Sequence, residues 1–520
     1  MADASAISPS DQERGVARQA LRPIDQMLRC HGNASRRDLV MVAPVGRSVF
    51  AQQEFEPSLD LDRWSDLLAV LARKHQVPGV QLAIHLGGET VAIEVGEVEY
   101  RTGHQVTRDS AFPIGSLSKT FTATLAMILV ADGDLDLDAP LGEHLIELGD
   151  LGNDLTLRQV LSHTGGLAAG PDSEEVLGSS IRRYVLDHCC RHNLVLPPGT
   201  GFSYSNIGYA LVGHLIETIT GMSWWEAMES ILLWPLGIES TFICGAPRRP
   251  LGRPLAIGHS VNTAVGRIRP VKQSLALAEA PAGGLAVSAV DLVALGMTQL
   301  GGGAPALLPT VYAEEMRRGV PTAEPFGLAD EWGLGLAVFR GANSTWVGHD
   351  GNAGGTACYL RIEPAYGCAI AFTSNANIGL GMWQELVTEL QSAGLPIDNY
   401  STIKALRRPA VPSPGCVGTY VNGDIEYSVS IHEDGDYHLA IDGEAVSRLT
   451  LYDGLIFSQQ DIGSGECIPA GRFLRDSITG EFYGIQVAGR VARRQLVTSQ
   501  NGMLVGTQDD VRLVNIPCPR

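Results

Sequence analysis

The chain has 520 residues, 45% of them hydrophobic and 18% charged, which allows a large buried core and more than one domain. A formal net charge of −19 argues against nucleic acid or an anionic membrane surface as the main partner. The nine cysteines are irregularly spaced and form no Cys-x-x-Cys or Cys/His ligand pattern, which fits reduced, buried thiols in a cytoplasmic protein better than a disulfide frame or a metal centre.

Residues 1–56 are polar, Arg-rich and weakly periodic, and read as an N-terminal extension; the opening "MADASAISPSDQERG" lacks the basic start and apolar run of a secretory signal. A domain over residues 57–400 follows. Trp64, Leu67, Leu68, Val70, Leu71 and Val77 have the spacing of an amphipathic helix. Two alternating runs, Val80–Leu82–Ile84 and Val91–Ile93–Val95, flank Gly87-Gly88 and predict a β-hairpin. From residue 111 to about 240 the pattern is helical. "TFTATLAMILVADGD" is apolar for only about three turns, which suits a core helix and is too short to span a membrane. In "NIGYALVGHLIETITG" one face is apolar and Gly221 closes the helix. Strand patterns return at "EWGLGLAVFR", "TWVGHDGNAGGTACYLRI" and "CAIAFTSNAN", and "GMWQELVTELQSAG" ends the domain as a helix. Strands contributed from both ends of a domain around a helical insert make an α/β fold. "RRPAVPSPG" marks a linker, placed at 401–414. Residues 415–520 hold short strands with turns about every ten residues, including Tyr427–Val429–Ile431, a turn at Asp434-Gly435, then Tyr437–Leu439–Ile441; they predict a separate all-β barrel or sandwich with no catalytic nucleophile.

The stretch "FPIGSLSKTF" carries the chemistry. The chain has four lysines, Lys74, Lys119, Lys272 and Lys404, and two of them follow a serine by three positions: Ser116–Lys119 and Ser401–Lys404. Only Ser116 precedes a long apolar run, which places it at a helix start with Lys119 one turn on, on the same face. Backbone N–H groups left unpaired at a helix start favour a developing oxyanion. A serine hydroxyl needs a base, and a lysine can serve where burial keeps it neutral. Ser401 lacks this setting and reads as a surface coincidence. The histidines are scattered, with no His-x-His or HExxH pattern, so no metal is expected.

"GSLSKTFTATLAMILVADGDLDLDAPL" resembles the first motif of the class C β-lactamase and penicillin-binding-protein-like serine hydrolases. "LTLRQVLSHTGGL" resembles the loop that follows it, in which His163 reads as a structural residue. Tyr204-Ser205-Asn206 in "PPGTGFSYSNIGYALVGHLIE" resembles the second motif, and His349-Asp350-Gly351 in "GHDGNAGG" the third, where many members carry Lys-Thr-Gly and others His-x-Gly. The resemblance covers roughly 59–395. It implies an antiparallel sheet flanked by helices with an all-helical insert, followed by a small lipocalin-like barrel. It makes Ser116 the nucleophile and Lys119 and Tyr204 the shared general base. Asn206 would orient Lys119 or the substrate amide, and His349 and Gly351 would line the site. The backbone N–H groups of Ser116 and Asn352 would form the oxyanion hole. His349 in place of lysine argues against β-lactam turnover. With an ordinary pKa near 6.5, the histidine is expected to titrate within the working range and to tune specificity. The implied activity is hydrolysis of an ester or amide through an acyl-enzyme, on a D-amino-acid or peptide derivative. The alternatives are an acyltransferase of the transacylase or thioesterase/cyclase kind, and a binding protein with a dead site. No cofactor is implied. The implied partner is a small-molecule or peptide acyl substrate, with no nucleic acid and no membrane, and a homo-oligomer stays open.

Overall fold

The computed structural model describes residues 61–495, apart from 172, 240, 245–252, 302–306, 342–343, 411–412, 434 and 463–466. The predicted extension over 1–56, the turn residue Asp434 and the end of the chain after 495 lie outside the described residues.

Helix α1 (Leu61–Lys74) buries Trp64, Leu67, Leu68 and Leu71, with Asp62 in its first turn and Arg73 and Lys74 in its last, the polarity that suits the helix dipole. The predicted hairpin follows as β1 (Gly79–Leu86) and β2 (Glu89–Gly96). The other strands of the main sheet come from the far end of the domain: β3 (Glu331–Trp332), β4 (Ala337–Arg340), β5 (Thr345–Ala353), β6 (Thr356–Glu363) and β7 (Cys368–Ser374). Their order is β2-β1-β7-β6-β5-β4-β3 and every pair is antiparallel. Strands β6 and β7 are buried at every position, which explains why "CAIAFTS" reads as a continuous apolar run rather than an alternation.

Each face of the sheet has its own core. On one, Leu82, Ile84, Tyr359, Ile370 and Phe372 pack with α1 and with α5 (Gly379–Ser392) through Trp64, Leu68, Trp383 and Leu386. On the other, Ala83, Cys358, Leu360, Ile362, Ala369 and Ala371 join a larger cluster with α2 (Ser118–Asp132), α3 (Asn206–Thr220) and α4 (Ala289–Gln299). The helical insert is therefore continuous with the sheet core. Helix α3 starts on a Ser205 cap and ends where the sequence predicts, on Gly221, which adopts a left-handed φ of 68°.

The linker residues hydrogen-bond to the second β structure, Ala410 N–H to Leu451 O and Asp453 N–H to Arg408 O. That structure is a closed barrel of eight antiparallel strands, each paired with the next in sequence: β8 (Gly418–Asn422), β9 (Ile425–Ile431), β10 (Tyr437–Ile441), β11 (Glu444–Tyr452), β12 (Ile456–Asp461), β13 (Cys467–Arg475), β14 (Phe482–Val487) and β15 (Arg490–Arg494). Strand β15 closes on β8 through Tyr420 and Arg494. Tyr420, Tyr427, Val429, Leu439, Phe457, Phe473 and Ile485 fill the interior. Ile431, expected to continue the Tyr427–Val429 face, ends its strand and is 46% exposed.

Candidate active site

The loop before α2 is shaped by two glycines. Gly115 has a φ of +50°, and a side chain there would collide with the Asn352 carbonyl; one at Gly351 would collide with the Ile114 carbonyl. The turn Gly115–Leu117 therefore lies flat against β5. Gly351 acts by making this close approach possible. Ser116 and Asn352 sit on the two backbones that meet there.

Helix α2 is apolar on all sides and buried from Ser118 to Leu129, so Lys119 has no exposed surface. Its Nζ donates to Ala282 O at 2.9 Å and lies 3.1 Å from Ser116 Oγ. Burial pushes its pKa well below the lysine range; the positive charge of Arg490 pushes the same way, and Glu279 opposes both. Burial thus favours the uncharged form of an amine that stands within hydrogen-bond distance of the serine hydroxyl. Its hydrogen bonds run to Ser116 and Ala282, so the alternative in which Asn206 orients Lys119 finds no support among the described residues. Asn206, half-buried, opens α3 and donates its backbone N–H to Ala169 O.

Tyr204 precedes α3 in an extended segment. Lys119 Nζ is 5.0 Å from the centre of its ring. The His163 ring lies 4.3 Å away and that of Trp332 5.8 Å, edge-on. Burial raises the phenol to about 12, against the opposing pull of the Ser116 hydroxyl and of Arg490. His163 itself has a left-handed φ of 57°, and its Nδ1 accepts the Ser205 N–H at 3.1 Å, fixing the segment that carries Tyr204.

His349, on β5, is buried against Trp332 at 5.2 Å between ring centres. Its Nδ1 is 2.6 Å from Asp350 O, and a carbonyl can only accept, so Nδ1 carries the proton and Nε2 a lone pair. That Nε2 is buried and has no partner among the described residues. Burial, reinforced by the neighbouring Lys119, lowers the pKa to about 3. This corrects the expectation of a histidine titrating near 6.5: the ring is out of water and beside a nitrogen base, so it stays neutral across the working range.

The second Ser-x-x-Lys, at Ser401, lies by the short turn Thr402–Ala405, which packs on barrel strand β13 through a hydrogen bond from Ala470 N–H to Thr402 Oγ1. Among the described residues no cluster of three or more His, Cys, Asp or Glu could hold a metal ion, and no helix is long and apolar enough to cross a membrane.

The family model described as Beta-lactamase matches residues 61–393, well over half of the chain. The protein belongs to the beta-lactamase family. A relative named Penicillin-binding protein 4, from Amycolatopsis lactamdurans, is 30% identical over 69% of this chain and 97% of its own. Among solved structures, SurE is 39% identical with a TM-score of 0.74, covering 82% of this chain and 97% of SurE, and has also been solved with D-Leu. A D-amino acid amidase from Ochrobactrum anthropi is 26% identical with a TM-score of 0.51, covering 59% of this chain and 90% of the amidase. Family membership accounts for the α/β domain that carries Ser116, Lys119, Tyr204 and His349.

Arg490 has no signal in the sequence. It opens β15, and its guanidinium carbon lies 5.3 Å from the centre of the Tyr204 ring. It sits in "QVAGRVARR", where nothing distinguishes it from the arginines beside it. Trp332 and Glu279 were equally invisible, because no spacing links them to a motif.

Proposed function

We propose that this protein is a serine hydrolase in which Ser116 attacks an ester or amide carbonyl and forms an acyl-enzyme. The observation that carries this reading is the fully buried Lys119 amine, 3.1 Å from Ser116 Oγ at the start of a helix. A neutral amine at that distance can take the hydroxyl proton as the Oγ–carbon bond forms. Tyr204 passes that proton to the leaving group, and the pair reverses its role when the acyl-enzyme is resolved. The backbone N–H groups of Ser116 and Asn352 receive the oxyanion. Asn206, across from Gly170, hydrogen-bonds the substrate amide. The neutral His349 offers a lone pair to the substrate and no fixed cation, which speaks for esters and amides over β-lactams. The substrate class is a D-amino-acid or peptide derivative, a reading supported by the likeness to the D-amino acid amidase and to SurE, which was solved with D-Leu.

A panel of p-nitrophenyl esters, D- and L-aminoacyl amides and thioesters, followed by intact mass, tests the proposal. A covalent acyl adduct on Ser116 is expected, formed faster with D-configured substrates. A fluorophosphonate that labels any other serine, or a Ser116→Ala variant with near-normal turnover, would overturn it. Product partition with and without an added amine identifies whether water or an amine resolves the adduct.

A further inference from the structure

The turn joining β14 and β15 is a two-residue hairpin in which Ala488 and Gly489 both have left-handed φ, 47° and 71°. Such a φ strains an alanine, and the strained turn packs against the β-lactamase-like domain. Gly489 O accepts the Tyr204 N–H at 3.0 Å, and Gly489 N–H donates to Phe326 O at 3.1 Å. Val491 N–H donates to Ser203 Oγ, and Gln486 Nε2 to Glu324 O and Phe202 O. The barrel thus grips Phe202, Ser203 and Tyr204 in succession. From the same hairpin Arg490 reaches the Tyr204 ring. Its Nε is buried without a partner, and no carboxylate pairs with it among the described residues. In a chain of net charge −19, Arg490 stands at the candidate site with no ion-pair partner among the described residues.

We propose that Arg490, delivered by the barrel, is the outer cation of the Lys119–Tyr204 proton-transfer unit, and that the 486–491 hairpin fixes Tyr204 in place. The inference rests on the reading of Lys119 and Tyr204 as the shared base. Lys119 Nζ and the Arg490 guanidinium lie 5.0 and 5.3 Å from the centre of one phenol ring. A proton on the buried Lys119 would add a second positive charge beside the same ring, so Arg490 disfavours it; the same charge stabilises negative charge that develops on the phenol oxygen. The other groups facing the unit are Ser116, His163, Tyr209, His349 and Asp350, with Tyr427 of the barrel beside Arg490 and Glu279 as the buried acid opposing Arg490 at Lys119. Glu279 accepts a hydrogen bond from Ser173 Oγ. Arg490 is a positioning and charge-setting residue that need not touch the substrate.

The test is the pH dependence of Ser116 labelling by a small neutral fluorophosphonate, on the full-length protein, for wild type, Arg490→Gln, Arg490→Met and Arg490→Lys. A neutral reagent has no carboxylate, so an anion-binding role would leave it unaffected. With the cation gone the base holds its proton more tightly. The ascending limb should move to higher pH by about one unit, with roughly tenfold slower labelling below it and a plateau recovered above it. Arg490→Lys should restore the limb, because the role needs charge over the ring and not a bidentate fork. Two neutral variants guard against one that fails to fold, and thermal melts identify it. An unmoved limb in a folded, Ser116-labelled neutral variant would overturn the inference while leaving the acyl-enzyme reading intact. So would a loss confined to the KM of carboxylate-bearing acceptors, which would make Arg490 an anion receptor. Wild type that does not label at Ser116 would overturn both.

Discussion

The two β structures of this chain are built on opposite patterns. In the seven-stranded sheet, β6 and β7 are buried on both faces under helices, and the reactive groups stand where the sheet meets α2. In the barrel the strands alternate, as in β11, with one face toward a single interior and the other toward solvent. The sheet domain is deep enough to strip water from an amine, as the fully buried Lys119 shows, and the proposed base depends on that depth. The barrel has no comparable depth, and its contribution to the site comes from its rim, as one hairpin and one charge. Chemistry that depends on desolvation belongs to the layered domain; what the barrel adds is position and field.

That contrast can be broken by changes on either side. The largest effect should come from the paired base. Lys119→Ala and Tyr204→Phe are each expected to slow acylation by roughly 10²- to 10⁴-fold. The double variant should be about as slow as the worse single one, because a proton-transfer unit fails as a whole. Losses that multiply in single-turnover acylation rates would divide Lys119 and Tyr204 into independent roles.

Next comes the contact between turn and strand. Gly351→Ala would drive a methyl into the Ile114 carbonyl and separate the Ser116 turn from β5. Roughly 10²-fold loss of kcat/KM is expected, with a lowered melting temperature, since a displacement near 1 Å at a reacting centre costs about that much. A variant with full activity would show that the two backbones need not meet.

His349→Ala should keep acylation by a small activated ester within about two orders of magnitude of wild type, with Lys119 and Tyr204 still present to take the proton. The pH profile should keep its shape in the neutral range, because the pKa of His349 lies at about 3 in the folded protein. The same shift bears on stability. Unfolded, the ring binds a proton below about pH 6.5, whereas the folded protein refuses it until about pH 3, so folding weakens as pH falls through that window. His349→Asn should therefore soften acid unfolding, read by circular dichroism. An unchanged acid midpoint would mean that the buried ring is protonated in the folded state.

The smallest effect should come from the barrel side chain that grips the Tyr204 segment. Gln486→Ala removes bonds to Phe202 O and Glu324 O and the acceptor for Arg472. A loss of about 1–2 kcal/mol in stability and less than tenfold in activity is expected, because Gly489 and Val491 still hold the segment through their backbones. A collapse as severe as that of Tyr204→Phe would place Gln486 at the centre of the barrel's role.

The sequence by itself determined the Ser116–Lys119 pair and the helix it opens, because the two residues and the apolar run that buries Lys119 are neighbours along the chain and a helix start is a local structure. It also determined the first hairpin, the helix that Gly221 closes and the short alternating strands after residue 415, since periodicity of 2 or 3.6 is written directly into residue order. What only the tertiary structure decided are quantities set by distant contacts. His349 is held neutral by burial against Trp332, which comes from a different strand, and no property of "GHDGNAGG" expresses that. Gly351 matters because the Ile114 carbonyl passes over it. Arg490 reaches Tyr204 from 286 positions further along the chain, since a hairpin with two left-handed residues points it there. Local pattern fixes which elements form. Burial and charge depend on which elements meet, and at this site they decide which groups carry protons.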